Sequence, residues 1–254
     1  KTDSIAPEQI PYLGLLKSVL GYVDTEHYTY GELFNEINAN TGGINCGVEV
    51  FDRADSTEEF QAMFSVRGKA LYTKMDFLFK MIGEILNSSK LEDTKRLYEI
   101  VASVKSRAQV NLTGAGHSTA VLRAAAYSSP MAAFQDEMAG IGYYQFIEKL
   151  EKDFEQRKEE TVEELCKLMK KILRPENFMI SYTGERESLE TVQKLAGAVK
   201  AGLGTEPVEK SEEKLTCTKK NEGFKTSGQV QYVAQTGNFK KKGLEYTGAL
   251  EILK

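Results

Sequence analysis

The chain has 254 residues, 41% of them hydrophobic and 28% charged, enough to bury a real core as one large domain or two modest ones. Thirty-three basic against thirty-seven acidic side chains leave a net charge of −4, which disfavours a general nucleic-acid binder. No apolar run approaches the roughly 18 residues of a membrane span, and the three scattered cysteines argue for reduced thiols in an intracellular compartment rather than a disulfide framework.

The predicted elements begin with an amphipathic helix over Pro11–Leu20, where Leu13, Leu16 and Leu20 share a face. Thr29-Tyr30-Gly31-Glu32 has the form of a capping box, in which hydroxyl and carboxylate each satisfy a free backbone donor. It opens a second helix with Leu33, Phe34 and Ile37 inward, ended by Gly42-Gly43. The period then falls to two. Ile44, Cys46, Val48 and Val50, and later Phe60, Ala62, Phe64 and Val66, alternate with polar or small residues, predicting an antiparallel pair with one buried face.

A helical block follows. Leu71, Met75, Leu78, Ile82 and Ile85 form one stripe, and Ser89-x-x-Glu92 reads as a box before Leu97, Ile100, Val101, Val104 and Ala108. Gly114-Ala115-Gly116 and Gly140-Ile141-Gly142 are breaks around helical Ser118–Ala126 and Tyr143–Asp153. Thr161-x-x-Glu164 reads as a third box, for a helix that Pro175 stops. Phe178–Tyr182 is predicted as a strand and Leu189–Gly202 as a helix. Residues 204–227 read as a linker, Val230–Val233 as a strand and Leu244–Lys254 as a helix without a stop signal. This order predicts an α+β fold, an antiparallel sheet with a helical block packed on one face. The start at Lys1 and the uncapped end predict a piece of a longer protein.

Candidate chemistry is sparse. Glu26-His27 has the tail of a zinc-helix motif, but its partner position holds Val23, and His117 has Val121 four residues on. Both histidines are therefore expected at the surface or at caps. Cys46 and Cys166 fall beside buried stripes, where a small hydrophobe is the ordinary use, and no nucleophile elbow or phosphate loop is present. Thr41-Gly42-Gly43-Ile44-Asn45 reads as a turn into a strand, Lys240-Lys241-Lys242 and the charges of Glu148–Glu164 as solvated faces, and Tyr143 and Tyr144 as core. No residue is assigned a catalytic, cofactor-binding or metal-binding role.

Tyr12-Leu-Gly-Leu-Leu-Lys-Ser-Val-Leu20, Tyr28-Thr-Tyr-Gly-Glu-Leu33, Thr41-Gly-Gly-Ile-Asn45 and the hairpin, in that order, resemble a half of the pitrilysin/insulinase zinc metallopeptidases. The likeness is to the inactive C-terminal half of presequence-protease-like members. It covers most of Ile5–Leu203 and resumes at Gly228–Lys254, where Val230-Gln-Tyr-Val233 and Tyr246-Thr-Gly-Ala-Leu250 resemble the opening of a next domain.

The resemblance implies a bilobed enclosure around unstructured peptides. Zinc and its inverted His-x-x-Glu-His motif would sit in the catalytic N-terminal half of the same chain, and this lobe would contribute chamber wall. Pro11–Leu20 contains no His or Glu, as the inactive half requires. An Arg and a Tyr that hold substrate in such proteins would fall beyond residue 254. The implied division is an inactive peptidase-like domain over 1–203, a linker over 204–227 and a truncated following domain over 228–254. The expected partners are the catalytic half and peptide substrates, without nucleic acid or membrane, in the cytoplasm or an organelle matrix. The alternative is a stand-alone non-catalytic binding or assembly subunit on the same fold; an unrelated α+β enzyme with a spatially assembled site is a third reading.

Overall fold

The computed structural model describes residues 1–252 apart from Ala54, Lys210, Glu212, Lys214, Ser227, Gly228 and Tyr246. A 3-10 turn at Pro7–Gln9 runs into α1 (Ile10–Val19), followed by α2 (Tyr30–Asn40), β1 (Ile44–Asp52) and β2 (Phe60–Gly68). Then come α3 (Met75–Ser88), α4 (Thr94–Gly114), α5 (Gly116–Ala126), α6 (Pro130–Ala139), α7 (Ile141–Lys152), α8 (Phe154–Ile172), α9 (Leu189–Ala201) and the short α10 (Ala249–Ile252). The architecture is α+β: a two-stranded antiparallel sheet packed with a helical block.

The centre is α1. Its sequence is apolar on every side except Lys17 and Ser18, so it is buried nearly all round, against α4, α6, α7, α8 and β1. Gly14 permits the closest of these approaches. A Cβ there would lie 2.6 Å from the Met138 carbonyl oxygen and 2.8 Å from the Tyr143 ring. Burial disfavours the ammonium of Lys17 and moves its pKa down.

The hairpin register runs from Ile44↔Gly68 to Asp52↔Phe60. It puts Cys46 opposite Val66, Val48 opposite Phe64 and Val50 opposite Ala62, all on the face that packs against the core. The polar alternates Asn45, Glu49, Gln61 and Arg67 take the other face, where Arg67 pairs with Glu49 at 2.7 Å. The chain enters β1 through Gly43, at φ +107°, a left-handed conformation open to glycine. Gly42 N–H donates to the Lys69 carbonyl at 2.7 Å, closing the base of the hairpin.

Several elements differ from the sequence reading. Phe34 is 54% exposed and Leu71 75% exposed, so neither joins its predicted stripe. Ser89 closes α3, its hydroxyl donating to the Ile85 carbonyl at 2.7 Å, and Asp93 caps α4 by accepting from Arg96 N–H at 3.0 Å. Thr161 lies inside α8 rather than at its start; its hydroxyl donates to the Arg157 carbonyl, and Leu165 and Leu168 continue the buried stripe. Among the described residues the sheet holds β1 and β2 alone, so Phe178–Tyr182 and Val230–Val233, predicted as strands, belong to no strand. The final helix starts at Ala249 rather than Leu244. Gly228, Tyr246, Leu253 and Lys254, part of the reading of 228–254, lie outside the described residues.

Candidate functional site

The polar chemistry nearest the centre of the fold is where the start of α1 meets α8. Gln9 and Tyr12, just before and within the first turn of α1, are both buried. Arg157, Glu160, Glu164, Lys167 and Lys171 recur three or four residues apart along α8, a spacing that puts them on neighbouring rows of one helix side. The Tyr12 hydroxyl donates to Glu160 Oε1 at 2.9 Å, and Arg157 reaches both Glu160 oxygens, through Nε at 3.0 Å and Nη2 at 2.9 Å. Arg157 Nη2 also donates to the Tyr12 oxygen at 2.9 Å, so the phenol sits between cation and carboxylate.

One turn further on, Gln9 Nε2 donates to Glu164 Oε2 at 2.9 Å, and Lys171 Nζ donates to Gln9 Oε1 at 2.9 Å. Lys167 pairs with the other Glu164 oxygen at 3.1 Å.

The electrostatics follow from this geometry. The Arg157 hydrogen bonds, assisted by Tyr12, hold the Glu160 carboxyl down at about 2. Burial, reinforced by the bond to that carboxylate, pushes Tyr12 up to about 12. Burial works against the Glu164 charge, but Gln9 and Lys167 outweigh it and the net movement is downward. Both carboxylates are thus held ionised, and neither is poised to exchange a proton near neutral pH. The arrangement is a brace in which Tyr12 and Gln9 hydrogen-bond the head of α1 to carboxylates that are themselves ion-paired within α8.

This donor set does not fit zinc. The metal takes imidazole, thiolate or free carboxylate ligands; α1 carries no His, Cys, Asp or Glu, and both α8 carboxylates are engaged by cations. Among the described residues no three His, Cys, Asp or Glu side chains converge as a metal-holding group.

The other candidates sit apart. His27 is at the surface, its backbone N–H and Nδ1 both 3.1 Å from the buried Glu84 carboxylate of α3, while Val23 nearby is in the core. His117 lies on α5 with its ring 6.2 Å from that of Tyr232. The two histidines therefore have unrelated partners. Cys46 packs against the core, and burial pushes its thiol up to about 12; burial also raises Cys166 and Cys217. Such thiols remain protonated and weakly nucleophilic at neutral pH.

Tyr143 is buried, whereas Tyr144 turns outward and donates to Glu148 at 2.8 Å. The three lysines at 240–242 form one 3-10 turn, where Lys241 pairs with Glu58.

Sequence reading missed a second polar node. Asp136, 1% exposed, accepts from the N–H groups of Ile141 and Gly142 at 3.0 and 3.1 Å and so caps α7 from the preceding helix. Arg123 of α5 neutralises it at 2.6 Å. The signal available was Asp136 just ahead of the Gly140 break; its partner thirteen residues upstream carries no recognisable pattern. The Arg157-x-x-Glu160 spacing was likewise visible, but Tyr12 lies 148 residues from Glu160.

Residues 1–150 match a family model whose description is that of a region associated with peptidase family M16, subfamily C. Protein HypA of Clostridium perfringens is 34% identical over 252 residues, covering 99% of this chain and 26% of that protein. The mitochondrial presequence protease of Yarrowia lipolytica is 29% identical over 155 residues, 61% of this chain and 16% of its own. Presequence protease 1, chloroplastic/mitochondrial, of Arabidopsis thaliana is 25% identical over 254 residues, 98% of this chain and 23% of its own. The chain spans about a quarter or less of the length of these relatives. It belongs to this peptidase-associated family, a C-terminal region of the pitrilysin/insulinase peptidases.

Proposed function

We propose that this chain is a non-catalytic lobe of a zinc metalloendopeptidase, forming part of the wall that encloses unstructured peptides while a separate catalytic half supplies metal and base. The observation that carries the reading is the polar junction at the head of α1. The first helix, where the family resemblance would put zinc ligands, presents Tyr12 there with Gln9 just ahead of it, and the nearby carboxylates are bound to Arg157 and Lys167.

In this reading the lobe acts by encapsulation. A closed wall excludes water from the reacting peptide and holds it near the metal of the other half. The brace stiffens that wall, because it joins α1 at the core to α8 through side chains whose charges are satisfied. The family match and the presequence protease relatives support the assignment to a peptide-degrading machine. The division into an inactive domain over 1–203, a linker over 204–227 and a further domain from 228 belongs to the same proposal. So does a setting in the cytoplasm or an organelle matrix: no described helix is long and apolar enough to cross a membrane, and the two presequence proteases carry organellar names.

Zinc titration of the purified chain, followed by calorimetry and by metal analysis after dialysis, tests the reading. The expected result is no stoichiometric binding at micromolar zinc, with Glu160→Gln and Glu164→Gln behaving as the parent chain does. Tight one-to-one zinc binding lost in either variant would assign a metal centre to this lobe and overturn it.

A further inference from the structure

Beyond α9 the chain folds back over the domain, and the two described stretches 215–226 and 229–245 are mostly exposed, with no helix or strand except the lysine turn at 240–242. Side chains make the attachment. Leu215 packs against the core. Glu222 accepts from Arg123 Nε at 2.8 Å and Nη2 at 3.3 Å, and from the Tyr127 hydroxyl. Tyr232 lies against α5 where Gly116 has no side chain; a Cβ there would be 2.4 Å from its ring. Lys241 donates to the Ser128 carbonyl at 3.2 Å and pairs with Glu58.

These contacts bring residues 236–245 over a groove of about 960 Å³, with Phe60, Ala125 and Met131 on the domain side and Phe239 and Leu244 on the returning chain.

Two facts single out Glu222. Its partner Arg123 is largely buried and already anchored on the deeply buried Asp136, so the guanidinium is fixed in place whether or not Glu222 is present. The Glu222 side chain, by contrast, stands on an exposed segment and ties that segment to α5 through a charged contact. A fixed cation facing a carboxylate on loosely held chain is a joint that can open without unmaking the fold, because the core loses nothing that it packs.

We propose that Glu222 is a releasable clasp: docked on Arg123 and Tyr127 it holds 215–226 against α5, and undocked it frees that stretch while Tyr232 and Lys241 keep 229–245 and the groove in place.

Limited trypsin digestion of the whole chain, with the cut sites read by mass spectrometry, tests this, comparing the parent with Glu222→Gln and Tyr127→Phe. A charge-assisted pair with partial exposure predicts about fivefold faster cleavage after Lys219, Lys220 and Lys225 in Glu222→Gln. Tyr127→Phe, which keeps the guanidinium contact, should show a smaller change at the same sites. Cleavage after Lys240, Lys241 and Lys242 and within α4 and α8 should stay as in the parent. Unchanged cleavage after Lys219, Lys220 and Lys225 in Glu222→Gln would overturn the proposal. So would an acceleration that spreads equally into α4 and α8, since that would make the contact a support of the whole fold.

Discussion

Gly14 and Gly197 are both helical glycines, and intrinsic propensity alone gives them the same advice, alanine, worth about 1 kcal/mol. Their surroundings separate them. At Gly14 the added methyl would meet the Met138 carbonyl at 2.6 Å, a backbone atom that cannot step aside; at Gly197 nothing lies within 4 Å. Chemical denaturation should show Gly197→Ala more stable by about 0.5–1 kcal/mol and Gly14→Ala less stable by about 1–3 kcal/mol, the ordinary cost of overpacking. Equal effects of the two substitutions would contradict the packing of α1 against α6 and α7. At this scale the sequence was a fair guide to apolar residues with clear periodicity, as Leu13, Leu33 and Leu97 at zero exposure attest. It misled at Phe34 and Leu71, because a periodic position becomes core only where another element arrives to cover it.

The boundaries of elements were legible where a local hydrogen-bond pattern decides them, and less so where tertiary contacts do. Thr29 and Glu32 form the predicted box, with Thr29 N–H to Glu32 at 2.9 Å and Glu32 N–H to Thr29 at 3.3 Å. The same pattern at Thr161 and Glu164 is overridden, since the helix beginning at Phe154 buries a stripe long enough to run straight through it. Strands need partners far away in sequence, which is why the hairpin with its short connection was read correctly while 178–182 and 230–233 were not. The brace between α1 and α8 was invisible for the same reason.

That brace makes a prediction in pH. Glu160 is held at about 2 in the fold against 4.5 for an ordinary glutamate, so its contribution is present above about 4.5 and fades as pH falls toward 2. Tyr12 is raised to about 12 from 10.0, so its contribution is present below about 10 and fades as pH rises through 12. The stability difference between the parent chain and Glu160→Gln should therefore be flat from pH 5 to 10. It should be small, about 1 kcal/mol or less for an exposed pair, and should shrink in acid. A difference that grows as pH falls below 4 would show that Glu160 is not held ionised.

Taken whole, the α1–α8 junction and the Arg123–Asp136 node are two polar clusters of the molecule whose carboxylates are paired with cations. Enzymes place unsatisfied or pKa-matched groups where chemistry occurs; here the carboxylates at these two places are spent on capping and bracing. The family relation could be recognised from the order of short segments along the chain, while the proposed inertness of the lobe rests on what surrounds α1, which the fold had to supply. Peptide hydrolysis by the purified chain, with a panel of unstructured fluorogenic peptides and excess zinc, is the most direct measurement. The account predicts no turnover above the buffer rate, with and without metal. Turnover abolished by replacing one of the chain's own side chains would contradict it.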